Sequence, residues 1–261
     1  MTYQGPCALT STGRVACFNT FRDALQWMDF PPALDFASTY HDHCTAGNSG
    51  VDCWGRQPEF GPGRYTAIAM SDWSTCAIHH DGEAECFGEE GNLALAGGPY
   101  IQIGTYHSVC GLLGSGGVEC SSPGTLEKPV LDGTYERMAH GYGDTICGLS
   151  EGALDCWPKD GDYYVQPPDG VLFSDLSLGV NVICGVQVNG ELMCWEYETT
   201  YCEYGCPSGV ISDVPPGTFT QVSATHDRAF AIDTDGCVVA WPDDWGWGDD
   251  HKFCPDEVEP A

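Results

Sequence analysis

A hairpin-sized segment bounded by cysteines returns along this 261-residue chain, and its period limits the available folds more than any other feature. Six copies read Cys7-ALTSTGRVA-Cys17-Phe18, Cys44-TAGNSGVD-Cys53-Trp54, Cys76-AIHHDGEAE-Cys86-Phe87, Cys110-GLLGSGGVE-Cys120, Cys147-GLSEGALD-Cys156-Trp157 and Cys184-GVQVNGELM-Cys194-Trp195. A seventh, Phe230-AIDTDGCVV-Ala240-Trp241, keeps the pattern without the bounding cysteines. The first positions, 7, 44, 76, 110, 147, 184 and 230, are spaced by 37, 32, 34, 37, 37 and 46 residues. A period of that length is one small supersecondary unit, repeated.

Each unit contains a β-hairpin. In the third copy Asp81-Gly82 lies between Cys76-Ala77-Ile78 and Ala84-Glu85-Cys86. A loop with Gly in the left-handed region gives a three-residue turn with a bulge, which sets Cys76 opposite Cys86. In the fifth copy the cysteines are one residue closer, and a two-residue Glu151-Gly152 loop again sets Cys147 opposite Cys156. Loop length and cysteine spacing change together, so six cross-strand disulfides are expected: 7–17, 44–53, 76–86, 110–120, 147–156 and 184–194. Opposed strand residues have Cα separations of about 4.5–5.5 Å, within the disulfide range of about 4.4–6.8 Å. Zinc sites use cysteines two to four residues apart, which these are not. Cys202, Cys206, Cys237 and Cys254 remain, with three possible pairings. Cys202–Cys206 and Cys237–Cys254 are favoured.

A short strand precedes all hairpins but the first, with an aromatic or aliphatic residue and a second apolar residue about three places later. Tyr65-Thr66-Ala67-Ile68, Tyr100-Ile101-Gln102-Ile103 and Phe219-Thr220-Gln221-Val222 are examples. Lys128-Pro129-Val130-Leu131 is a candidate fourth, edge strand, and the C-terminal stretch 256–261 is another. Small sheets that cannot bury both faces alone bury them by stacking radially. The expected fold is all-β, a seven-bladed β-propeller of short antiparallel sheets stapled by hairpin disulfides, as one domain over 1–261.

The hairpins Cys-Ala/Gly-Leu/Ile, Gly-containing turn, Cys-Trp/Phe resemble the repeat of the regulator of chromosome condensation family, and His107-Ser108-Val109-Cys110-Gly111-Leu112 is similar to its His-x-x-Cys/Ala-x-Leu stretch. Cysteine at both positions is similar to secreted bacterial members of the β-lactamase-inhibitory protein II type. The resemblance implies a seven-bladed propeller serving as a protein-binding platform.

Composition narrows the partners. Nine Lys and Arg face 38 Asp and Glu, a formal charge of −29. Nucleic acid, which needs clustered cations, is excluded as an expected partner, and an anionic membrane surface would repel the chain. No apolar run is long enough to span a membrane. Sixteen cysteines point to an oxidising compartment, extracellular or at the cell surface, although no signal peptide opens this chain.

Aromatics that escape the repeat carry the functional expectation. Tyr163, Tyr164, Tyr201, Tyr204, Trp245 and Trp247 lie between repeats and are expected to form a binding face, as exposed Tyr and Trp do at interfaces. The repeating Trp or Phe after the second cysteine is expected to pack between blades. Asp160, Asp162, Asp249 and Asp250 form acid clusters that are candidate calcium ligands through oxygen; otherwise they are a solvated face. In His41-Asp42-His43, His41 occupies the repeat position three before the first cysteine, where a polar residue is expected to bond a turn or neighbouring blade, and His79-His80 is expected to be solvated at a hairpin tip. No catalytic or cofactor fingerprint occurs. The chain therefore reads as a non-catalytic protein-binding propeller; a structural subunit of an extracellular assembly, a carbohydrate-binding module and a β-lactamase inhibitor are the alternatives.

Overall fold

A computed structural model describes residues 7–19, 24–39, 42–55, 58–88, 94–121, 131–141, 144–158, 165–180, 182–196, 208–225, 228–242 and 252–254. Among them lie seven small antiparallel sheets, one per repeat. Sheet 1 holds β1 (Cys7–Leu9), β2 (Val15–Asn19) and β3 (Ala24–Trp27); sheet 2 holds β4 (Ala33–Ser38), β5 (His43–Gly47) and β6 (Gly50–Trp54). Sheet 3 is β7 (Tyr65–Met70), β8 (Ser74–His79) and β9 (Ala84–Gly88), and sheet 4 is β10 (Tyr100–Thr105), β11 (Val109–Leu113) and β12 (Val118–Ser121). Sheet 5 comprises β13 (Arg137–His140), β14 (Ile146–Ser150) and β15 (Ala153–Trp157), and sheet 6 comprises β16 (Phe173–Leu178), β17 (Val182–Gln187) and β18 (Leu192–Glu196). A one-turn helix, α1 (Ser208–Ser212), leads into sheet 7, which has β19 (Phe219–Ala224), β20 (Ala229–Asp233), β21 (Val238–Trp241) and β22 (Lys252–Phe253). Sheets 1–4 belong to one compact unit and sheets 5–7 to a second.

Sheet 1 differs from the next five. Its third strand follows the hairpin, whereas sheets 2–6 take theirs from ahead of it. In sheet 7 the added edge strand is β22, earlier in sequence than the 256–261 stretch, which lies outside the described residues along with 128–130. Leu131 is described and is not in a strand.

The hairpins have the expected registers. Gly82 has φ +89° and donates its N–H to the His79 carbonyl (2.8 Å), while His79 N–H bonds Glu83 O (2.8 Å), a turn closed by a left-handed glycine. In the two-residue loop both Glu151 (φ +51°) and Gly152 (φ +80°) are left-handed. Ladder bonds alternate outward from these turns, so Cys76↔Cys86 and Cys147↔Cys156 fall at non-hydrogen-bonded pairs, where side chains approach most closely. All six hairpin cysteine pairs are disulfide-bonded, with Cα separations of 4.0–4.1 Å, tighter than the sequence-based range because of those sites. Cys237 is bonded to Cys254, which ties β22 to the last hairpin. Cys202 and Cys206 lie outside the described residues.

The apolar spacing of three in the first strands has a geometric cause. In a regular strand, residues three apart face opposite ways. Here the register shifts directly after the first residue of β4, β7, β10, β16 and β19. Each bulge turns the later residue back, so Tyr65 and Ile68, or Phe173 and Leu176, are buried together.

The cores form between successive sheets. The cystine of one sheet packs on the first strand of the next: Cys44 with Tyr65 and Ile68, Cys76 and Cys86 with Tyr100 and Ile103, Cys147 and Cys156 with Phe173 and Leu176, and Cys184 and Cys194 with Phe219 and Val222. The hairpin tip also bonds forward. The carbonyls of Gly13, Gly82, Gly152 and Gly190 accept N–H bonds of 2.8 Å from Ala33, Tyr100, Phe173 and Phe219. A half-buried carboxylate, Asp35, and a buried one, Asp175, add further ties. Asp35 accepts from Ile68 N–H (2.9 Å) in the following sheet; Asp175 accepts from Val222 N–H (2.9 Å) ahead of it and from Arg137 Nη1 (2.8 Å) behind it.

The aromatic after the second cysteine packs within its own sheet as well as toward the neighbouring one. Trp195 stacks on Phe173 of its own sheet (5.4 Å), Phe87 meets Phe60 edge-on (4.9 Å), and Trp241 donates to Val210 O of α1 (2.9 Å). Trp54 is 37 % exposed. Phe87, Trp195 and Trp241 lie on the third strands, beside the segment that leads into the same sheet or its first residue. Trp195 and Trp241 also join the clusters shared with the neighbouring sheet.

Candidate functional site

Each of sheets 2–7 presents two ends. At one are the hairpin tips and the starts of the first strands. At the other are the turns between first and second strands and the ends of the third strands; we call this the turn edge. The predicted binding aromatics Tyr163, Tyr164, Tyr201, Tyr204, Trp245 and Trp247 lie outside the described residues, as do Asp160, Asp162, Asp249 and Asp250. In sequence, all ten follow the third strand of a sheet, whose described end belongs to the turn edge.

In the unit of sheets 1–4 the turn edge carries a built aromatic corner. Trp73, 43 % exposed, occupies the turn between β7 and β8. Ser71 organises that turn: its N–H donates to Ser74 O (2.8 Å), and its hydroxyl accepts from the N–H groups of Trp73 (3.2 Å) and Ser74 (3.1 Å). The hydroxyls of Ser71 and Ser74 each reach Tyr106 O of the next sheet at 3.1 Å, and the Ser74 hydroxyl also contacts that of Thr105. The lock sets Trp73 beside His107, with ring centroids 5.1 Å apart and planes at 57°. Tyr106 in turn lies 4.4 Å from His107 at 47°.

On sheet 2 the same edge holds a three-ring ladder. Phe36 stacks on His43 (6.1 Å) and His43 on Trp54 (5.8 Å). Burial lowers the His43 pKa against the opposing pull of Asp42, which keeps the imidazole neutral and able to stack. Asp42 belongs to the turn, where its N–H bonds the Thr39 hydroxyl (3.2 Å); His41 lies outside the described residues.

Sequence reasoning missed the Trp73 corner. A signal existed: the position three before the first cysteine carries His41, His107, Asp144 and Asn181 in other copies, and Trp73 breaks that polar column.

A second recurring constellation is internal. Tyr65 and Tyr100 start their first strands and Tyr135 stands two residues before its own; each crosses the middle strand and donates to a carboxylate on the third: Glu85 (2.8 Å), Glu119 (2.5 Å) and Asp155 (2.6 Å). In two of these sheets the ring lies on a glycine. A Cβ at Gly111 would fall 2.8 Å from Tyr100 Cε1, and one at Gly148 2.7 Å from Tyr135 Cγ. Phe173 covers Gly185 likewise, and there the third-strand residue is Met193 rather than an acid. Burial, then the bond to the carboxylate, raises the phenol pKa in each pin, to about 12 for Tyr135. His79 corrects the expectation of a solvated pair, because its ring packs 4.1 Å from Tyr65 and its Nε2 lies 3.5 Å from Glu85; His80 is exposed. These pins hold loops in place: Gly61 N–H bonds Glu85, and Gly97 N–H bonds Glu119 (2.7 Å).

Among the described residues, four cations are engaged by the chain's own groups. Arg14 lies 4.0 Å over Trp27, Arg64 grips Asn48 through two nitrogens, Arg137 pairs with Asp175, and Lys252 pairs with Asp233 (2.7 Å). Among the described residues no group of His, Cys, Asp or Glu is placed to hold a metal, and no helix is long and apolar enough to cross a membrane.

The repeated sheets, their bulged first strands and their order can be set beside solved structures. The chain is similar to the CRINKLY WD40 ectodomain of the Arabidopsis thaliana receptor kinase ACR4, with TM-score 0.67 and 17% identity over 90% of this chain and 89% of that one. The fold is a seven-bladed β-propeller. The entire ectodomain of the Physcomitrella patens receptor kinase CR4 is also similar, at TM-score 0.65 and 19% identity over 90% and 69% of the two chains. Prp20p from Saccharomyces cerevisiae gives TM-score 0.58 and 14% identity over 79% and 70%. No protein-family model matches the sequence, and no curated protein matches it in sequence. The sheets are hereafter blades 1–7.

Proposed function

We propose that this propeller is a non-catalytic protein-binding platform working outside the cell or on its surface, and that it binds its partner through the turn edge. The serine-locked Trp73 corner carries this reading. An exposed Trp fixed before contact loses little freedom on binding, and a few such anchors supply most of an interface's energy. Tyr163, Tyr164, Tyr201, Tyr204, Trp245 and Trp247, each of which follows a third strand in sequence, are proposed as further contact residues. The cystines support an oxidising location. Two similar folds are receptor-kinase ectodomains, and Prp20p was crystallised in work on its binding to Gsp1p and histones. In this reading the seven blades act as one domain.

The test uses partners recovered with the natively produced protein, purified and titrated against wild type and Trp73→Ala. Removing a Trp anchor costs about 2 kcal/mol or more, roughly 30-fold in Kd. Equal affinity for both proteins would refute the edge assignment. Sugar binding on a glycan array with the same Trp73 dependence would replace the protein partner. Self-association abolished by Trp73→Ala would make the partner a second copy. Recovery only from the cytosol with reduced thiols would refute the location.

A further inference from the structure

We infer that the Trp73–Tyr106–His107 corner receives a Lys or Arg side chain from a basic segment of the partner protein. This rests on the turn-edge reading and names the chemistry it would recognise. Charge is the first ground. The chain carries −29 formally, and Arg14, Arg64, Arg137 and Lys252 already serve groups within it. The field a partner meets is therefore negative, and it draws in a cationic surface. Asp72, exposed beside Trp73 in the same turn, adds a carboxylate at the corner itself.

Ring geometry is the second ground. Trp73 and His107 meet at 57° rather than stacking flat, and Tyr106 meets His107 at 47°. Tilted rings form walls, and Trp73, a residue 43 % exposed, carries the side chain whose ring is the strongest acceptor for a cation. The chain uses the same pairing internally, with Arg14 over Trp27. Rigidity is the third. The Ser71 and Ser74 bonds to Tyr106 O hold the two turns together before any partner arrives.

Calorimetry and indole N–H NMR shifts on the intact oxidised protein would test this. The probe is a short Gly-spaced Lys/Arg peptide, compared with the same peptide carrying acetyl-lysine and citrulline. Wild type is expected to bind the charged peptide and shift the Trp73 indole signal. Trp73→Phe, which keeps a ring, retains most of that affinity, while Trp73→Ala loses about tenfold. Asp72→Asn weakens binding several-fold, and more at low salt than at high. Unchanged affinity in Trp73→Ala would show attraction to a diffuse acidic surface and overturn the assignment. Equal binding of the neutralised peptide would overturn the cation chemistry while leaving the turn edge intact. If neither peptide binds, the assignment also falls. A natural partner that binds Trp73→Ala as well as wild type refutes the turn-edge reading separately.

Discussion

The tyrosine pins allow a stringent test, because the chain contains both versions of the pair. Blade 5 joins Tyr135 to Asp155 by a 2.6 Å bond, with Tyr135 only 3 % exposed. Blade 6 has Phe173 and Met193 at the same positions. Tyr135→Phe removes a hydrogen bond to a charged acceptor, a loss of about 1.5–3 kcal/mol. Asp155→Met in the presence of Tyr135 leaves a buried hydroxyl without that acceptor, a loss of about 1–3 kcal/mol. Together the two substitutions reproduce the apolar pair of blade 6, so the double variant should recover most of the sum. A residue of about 1 kcal/mol remains, because Gly133 N–H donates to the Tyr135 phenol oxygen (3.0 Å) and loses it. Val171, two residues before Phe173, sends its own N–H to Pro168 O instead. Urea unfolding followed by fluorescence, arranged as a double-mutant cycle, measures the coupling. Additive losses of about 4 kcal/mol in the double variant would refute the exchangeable-pair reasoning.

Three further outcomes are expected. Gly148→Ala should destabilise by about 1–3 kcal/mol, because its Cβ would press on the Tyr135 ring; Gly117→Ala, which meets only Leu113 Cδ1 at 3.6 Å, should be near neutral in the same thermal melts. The raised phenols favour the folded state below pH of about 10, and that contribution is lost as pH rises through the folded value of about 12 for Tyr135, so stability should fall across that window. Absorbance at the phenolate band should show Tyr65, Tyr100 and Tyr135 ionising late; titration of all tyrosines together near their ordinary value would contradict the pins. Asp175→Ala removes the partner of Arg137 and the acceptor of Val222 N–H, and should lower stability by about 2–4 kcal/mol in urea melts. A loss no larger than that of an exposed Asp81→Ala control would show that the tie between blades carries no weight.

The hairpins were legible because their signals are local. A change of loop length at Glu151-Gly152 is answered within ten residues by Cys156. The bulges were visible only as an odd spacing, Tyr65 to Ile68, whose meaning needs the partner strand. The link between Tyr and acid could have been read as a pattern within the chain: Glu85, Glu119 and Asp155 precede their second cysteines where Tyr stands at or just before the start of the first strand, and Met193 where Phe does. Asp52 breaks that rule, since Ala33 starts its blade. The Trp73 corner was illegible for a different reason. It depends on Ser71 and Ser74 meeting Tyr106 O in the next blade, more than thirty positions away, and no periodicity reports such a contact.

Among the described residues every cystine closes a short stretch, 9 or 10 positions in the six hairpins and 17 at the end. A chain pulled from its two ends would therefore lengthen through the segments between the sealed stretches. Each sealed hairpin withholds about 30 Å of extension, at about 3.4 Å per residue. Tension could separate one blade from another, yet the two hairpin strands of each of blades 1–6 would stay paired as knots on the thread, ready to reseat when the load is released.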